Sequence, residues 1–105
     1  MTKDFTIRTY AEAWEEAVEE FRRTDAAHAL AVDVFNAKLV ALRAKHFVKL
    51  IEEAQQPPVT DFKDPRVEAA VLASTEYTEA YAVVAAAFSA VHTARARLLA
   101  LSGRF

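Results

Sequence analysis

The chain has no cysteine, one glycine and three prolines in 105 residues. Without cysteine there is no disulfide framework, no thiolate metal site and no thiol nucleophile. With a single glycine no phosphate-cradling loop can be built, and no Gly-x-Gly-x-x-Gly, Walker loop, Gly-x-Ser-x-Gly elbow or His-Glu-x-x-His run occurs. A charge excess of one sign is missing as well. Lys and Arg number 13 against 15 Asp and Glu, so the net charge of -2 exerts no global pull toward nucleic acid or an anionic membrane. The longest unbroken apolar run, residues 80–88, is far below the roughly 20 residues that cross a bilayer, so no membrane span and no membrane partner is expected. Residues 1–6 lack a basic stretch followed by an apolar core, which leaves a cytoplasmic location as the expectation.

What is present favours helix. Hydrophobic residues make up 53% and charged residues 27%, a composition that folds as one domain and is too apolar for a disordered tail. Thr9 with Glu12 three residues on is a capping-box pair, and Tyr10, Trp14, Ala17, Val18 and Phe21 follow at helical spacing. A short amphipathic helix over residues 9–23 is expected. Thr24 and Asp25 offer the cap of a second helix over residues 25–55, before Pro57 and Pro58 push the backbone out of the α region. One uninterrupted helix from Tyr10 to Gln55 is the rival reading. After a loop at residues 56–64, Asp64 and Pro65 supply an N-cap and an N1 proline, and Gly103 stands where a C-cap calls for positive φ. A third helix is therefore expected over residues 65–102.

Two seams run along the longer helices. In the second helix Ala27, Leu30, Val34, Ala37, Ala41, Ala44, Val48 and Ile51 are spaced 3, 4, 3, 4, 3, 4, 3, a heptad pattern. In the third, Ala70, Ala73, Tyr77, Ala80, Val84, Ala87, Val91, Ala94, Leu98 and Leu101 form a matching stripe. The expectation is an all-α fold: a short N-terminal amphipathic helix and a long, coiled-coil-like antiparallel hairpin closed by these two seams.

That hairpin leaves apolar surface over. The second helix carries another stripe, Val32, Phe35, Leu39 and Leu42, about 150° from the first at 100° per residue. Tyr10, Trp14, Val18 and Phe21 of the first helix can anchor it over part of that stripe or, undocked, offer a partner an amphipathic face. On the third helix Tyr81, Val83 and Phe88 fall in three turns with no charged face. Helices of about 57 Å in a domain whose compact radius would be about 13 Å make a rod. Exposed stripes of this size are rare on soluble monomers. Val32, Phe35, Leu39, Leu42, Tyr81, Val83 and Phe88 are thus the expected surface for self-association or a protein partner, with a homodimeric bundle the commonest form.

Charge alternates in blocks: residues 1–20 and 52–79 are acidic, residues 21–49 and 80–105 basic. Lys38, Arg43, Lys45 and Lys49, followed later by Arg95, Arg97 and Arg104, make a nucleic-acid-binding or structural helical protein the competing reading. Folding the hairpin, however, brings Arg43, Lys45 and Lys49 level with Glu68, Glu76 and Glu79, and the late arginines toward residues 12–20. Charges so placed set register, as e and g residues do in coiled coils.

Catalytic chemistry finds no footing. Asp25 and His28 share a helical face but form a single pair, and no Glu-x-x-His is present to build a carboxylate-bridged metal site. Tyr77 and Tyr81 could line a slot, though such rings more commonly supply packing area. Glu15-Glu16, Glu19-Glu20 and Glu52-Glu53 fall at solvated positions unsuited to general-acid work. No catalytic residue, metal or cofactor is expected, and the function that remains is a non-enzymatic interaction module acting on a larger protein machine.

Overall fold

The computed structural model describes the backbone of residues 7–103 and the side chains of residues 9–103. Residues 1–6, where the absence of a leader was read, and Arg104 of the basic block lie outside the described residues. Three helices follow in order: α1 at Ile7–Glu52, α2 at Pro65–Leu72 and α3 at Thr75–Ser102. No strand occurs among the described residues.

The first two expected helices are one. No glycine or proline falls within α1, so only a cap could have divided it, and Thr24 does not act as one. Its hydroxyl, 9% exposed, donates back to the Glu20 carbonyl at 2.8 Å and the Phe21 carbonyl at 3.1 Å. A threonine spent this way satisfies itself on the preceding turn and offers no acceptor to the amides ahead. The separate N-terminal amphipathic helix is therefore not present, and Thr9 lies inside the first turns of α1. The rival reading of an uninterrupted helix matches α1, which stops at Glu52 rather than Gln55.

Termination there is by a left-handed residue. The Glu53 amide donates to the Lys49 carbonyl at 2.9 Å, the Ala54 amide to Ile51 at 3.1 Å, and Ala54 itself has φ 51°. The connection that follows has a cis Gln56–Pro57 bond and is pinned by Arg66. That guanidinium donates to the Pro57 carbonyl, to the Pro58 carbonyl at 3.4 Å and to Asp64 Oδ2 at 2.7 Å. Asp64 also caps α2, with Oδ1 accepting the Arg66 amide at 2.9 Å, and Pro65 opens the helix.

The third expected helix is in two pieces. Ser74 ends α2 and starts α3: its hydroxyl donates to the Val71 carbonyl at 2.6 Å and accepts the Tyr77 amide at 3.2 Å, an N-cap bond. Gly103 does not take positive φ, and its amide continues the helical pattern to the Leu99 carbonyl at 3.1 Å. No left-handed cap was needed where the last turn simply carries on.

The chain divides into two compact units, one comprising residues up to Leu30 and from Ala86 onward, the other Ala31–Ala85. In the terminal unit α1 and α3 run antiparallel. The Tyr10 hydroxyl donates to the Leu101 carbonyl, Arg97 pairs with Glu16 at 3.7 Å, and the His28 and Phe88 rings lie 5.7 Å apart. Ala17 and Ala94 are the buried apolar residues where these helices meet. In the central unit Val59, Val67 and Val71 join Leu42 and Ala80 in the core, and Phe47 stacks on Phe62 at 4.3 Å.

The seams are where sequence and structure part most instructively. On α3 the stripe from Tyr77 to Leu101 faces inward, every member buried or half-buried, while Ala73 is exposed at the break. On α1 the heptad positions Leu30, Val34, Val48 and Ile51 are 65%, 46%, 51% and 49% exposed, and Ala27, Ala37 and Ala41 are exposed too. The side of α1 that packs is the other one. In the central unit it is Val32, Phe35, Leu39 and Leu42, and in the terminal unit Tyr10, Trp14, Ala17, Phe21, Thr24 and His28. The physical reason is size. In the central unit the inner stripe of α3 includes the small Ala80, and large α1 side chains set against it fill the interhelical space and remove more apolar area from water than alanine would, whereas in the terminal unit the fully buried α1 residue is itself an alanine, Ala17.

Candidate functional site

Val32, Phe35 and Leu39 are half-buried and Leu42 is 8% exposed, so the α1 part of the expected association surface is not a free face. The Phe35 ring lies 5.8 Å from Tyr77 and 6.3 Å from Tyr81, both within the central unit. The α3 part does reach solvent: Tyr81 is 55%, Val83 59% and Phe88 58% exposed. Tyr10, Trp14, Val18 and Phe21, expected to anchor a separate helix, are half-buried on α1 itself. The structure thus does not gather the expected interface residues on one surface.

The open apolar surface that sequence reasoning assigned to the hairpin core is the heptad side of α1. In the central unit Val34, Ala37, Val40, Ala41, Val48 and Ile51 are all exposed. Beside it α1 and α3 leave a groove of about 580 Å³ within that unit. Its floor is Ala41, Leu42, Ala80 and Val83, and its rims are Lys38 and Lys45 on α1 and Glu76 and Glu79 on α3. An apolar floor between rims of opposite sign suits a helix with apolar and charged residues better than a uniformly charged ligand.

The basic stripe is partly consumed within the unit. Arg43 Nε donates to Glu68 at 3.1 Å and Lys45 Nζ to Glu76 at 2.6 Å. These are the pairings that folding the hairpin placed level, and Arg97 with Glu16 is the counterpart in the terminal unit. The hydrogen bond from Lys45, aided by its charge, holds Glu76 below the usual carboxylate range. All these pairs are well exposed, so they serve register more than stability. Lys38 and Lys49 are exposed.

Other chemistry-bearing groups stay dispersed. Among the described residues no three His, Asp or Glu side chains converge as a cation site would require. His28, Phe88 and His92 form a ring cluster in the terminal unit, with Phe88 to His92 at 6.3 Å. In the central unit His46 Nε2 is buried with no hydrogen-bond partner. α3 is also long and apolar enough to cross a membrane by length and composition, with an 18-residue window of mean hydropathy 1.2 that is 6% buried. Counting only unbroken apolar runs missed that window, because Ser89, His92 and Thr93 interrupt the run without adding charge.

No protein-family model, no curated protein and no solved structure matches the chain.

Proposed function

We propose that the chain is a non-enzymatic protein–protein interaction module, a small accessory regulator that self-associates and docks on a larger protein machine in the cytoplasm. The observation that carries this reading is the exposed apolar surface. Among the described residues eleven large apolar side chains are 46% to 65% exposed, while the two largest fully buried ones are only valines, Val67 and Val71. Singly exposed apolar residues are ordinary, but a run of them along one helix, beside a groove with charged rims, is the composition of a binding surface.

The test is comparative capture from the native host with the intact chain and a Tyr81→Ser/Val83→Asp variant. Both substitutions fall at exposed positions of α3, so helicity by circular dichroism should hold while a specific partner is lost. Equal capture by both chains would remove this face from the proposal. The competing nucleic-acid reading retains Lys38 and Lys49 after Arg43 and Lys45 are spent on Glu68 and Glu76. It predicts affinity for DNA or RNA that falls steeply with salt. Flotation with lipid vesicles checks the third class, since a membrane-seated α3 would carry the chain upward and a protein-binding α3 would not.

A further inference from the structure

Resting on the reading of the chain as an association module, we propose that the open heptad side of α1 pairs with the same side of a second copy. The pair is a parallel, in-register, two-stranded coiled coil.

In the central unit the seam is Val34, Ala37, Ala41, Ala44, Val48 and Ile51, of which all but the half-buried Ala44 are exposed. Its spacing of 3, 4, 3, 4, 3 assigns Val34, Ala41 and Val48 to a positions and Ala37, Ala44 and Ile51 to d positions. The spacing matters because nothing within the chain demands it. The opposite side of α1, which holds Phe35 and Leu42, already packs on α3. A second apolar stripe that keeps a strict heptad on the solvent side implies a second helix that supercoils with it. β-branched valines fill two of the three a positions, and the three alanines let the axes approach to the short end of the usual ~8 to 10 Å spacing.

Charge complementarity selects the occupant and its direction. The g position before Val34 is Asp33, and the e position after Ala37 is Lys38. Both are exposed, and neither side chain makes an ion pair or hydrogen bond among the described residues. In a parallel in-register pair each g residue faces the following e residue of the other strand, so Asp33 meets Lys38 of the second copy on both flanks. Reversing one strand while stacking the same six residues sets Lys38 level with Lys45 of the second copy, two like-charge contacts along the flank that carries the e positions. Lys45 in the parallel pair keeps its own Glu76, and its aliphatic stem covers Val40 of the second copy, which is 65% exposed in the single chain. These e and g charges lend orientation rather than strength.

The natural absence of cysteine makes the test direct. With the full chain carrying Ala37→Cys, mild oxidation should give a covalent dimer, because d positions of a parallel pair lie at Cα separations of about 6 Å, suited to a disulfide. Ala82→Cys on exposed α3 should give no covalent dimer under the same conditions. In sedimentation velocity from micromolar to millimolar concentrations the unmodified chain should dimerise. Val34→Glu/Val48→Glu should weaken that dimer on the order of 100-fold, since unpaired carboxylates are expelled from a desolvated seam. Its helicity should be unchanged, both positions being exposed.

A chain that stays monomeric throughout overturns the inference, while the module reading is decided separately by the α3 variant and partner capture. A dimer that ignores Val34→Glu/Val48→Glu overturns it too. Cross-linking that requires mixing Ala37→Cys with Val48→Cys chains, and fails with Ala37→Cys alone, overturns the parallel direction.

Discussion

Replacing His46 by leucine should stabilise the chain. His46 sits on the packed side of α1 in the central unit, one turn beyond Leu42, and its Nε2 is buried with no partner. A buried polar atom left unsatisfied costs about 1 to 3 kcal/mol relative to one that keeps its hydrogen bond. Leucine removes that atom and keeps most of the apolar bulk, and the mismatch in shape should return less than about 1.5 kcal/mol. His46 also contributes a small favourable field at Glu76, the least of the causes lowering that carboxyl, and this is lost. The balance is a gain near 1 kcal/mol. With a urea m-value of roughly 2 kcal/mol/M for a chain of this size, the midpoint should rise by about 0.5 M with m unchanged. His46→Ala is the control: it removes the same nitrogen but leaves a void, so it should fall below His46→Leu and near or under the natural chain. If His46→Leu instead loses more than about 1 kcal/mol, the nitrogen is bonded to something the chain itself does not supply, and the reasoning from an orphaned atom fails.

Two backbone substitutions should move stability in the direction their φ angles dictate. Ala54, at φ 51°, carries the left-handed penalty of an L-residue, so Ala54→Gly should gain about 0.5 to 1 kcal/mol in thermal or urea unfolding. Gly103 has no left-handed φ, and an added Cβ would meet only the Leu99 carbonyl at 3.6 Å and the Ala100 carbonyl at 3.8 Å. Gly103→Ala should therefore be neutral or gain up to about 1 kcal/mol by restricting the unfolded chain, and a loss would mean the end of α3 is misassigned. The Asp64 carboxyl is held at about 2 against an ordinary 3.8, chiefly by hydrogen bonds from the Arg66 side chain and then its amide. Because the folded value is the lower one, the stabilisation from this group is complete above 3.8 and fades as pH falls through about 2. Carboxyl carbon NMR should show Arg66→Ala moving the Asp64 midpoint up toward 3.8, and an unmoved midpoint would refute the cause.

Helix content was legible because so little interrupts it. The two strongest punctuators, Pro57-Pro58 and Asp64-Pro65, mark a real gap between α1 and α2. What was misplaced hinged on hydroxyls. Thr24 and Ser74 are both plausible caps in sequence, yet Thr24 bonds backward and continues α1, whereas Ser74 bonds in both directions and divides α2 from α3. Local spacing does not distinguish these, since the choice depends on whether the neighbouring turn gains more from packing straight on or from bending. At Ser74 the bend accompanies full burial of Val67 and Val71. At Thr24 the straight course keeps His28 and Ala17 against α3.

The candidate surface was misread for a reason that also explains the molecule. α1 carries two apolar stripes with the same 3, 4, 3 spacing, and length alone ranks the one that runs from Ala27 through Val34, Ala37, Ala41 and Ala44 to Ile51 above the four residues Val32, Phe35, Leu39 and Leu42. The length of a repeat, however, measures fitness for a partner of the same pitch, whereas the interior of a single chain selects for volume. In the central unit α3 presents Ala80 inward, and the phenylalanine- and leucine-sized side chains of the shorter stripe fill more of the space there than alanines would. The bulkier stripe therefore goes in, and the longer, alanine-rich one is left out. The alanines of that stripe would let two identical helices approach closely in the coiled coil proposed above, so its small residues bear both on its absence from the core of the chain and on the proposed pairing.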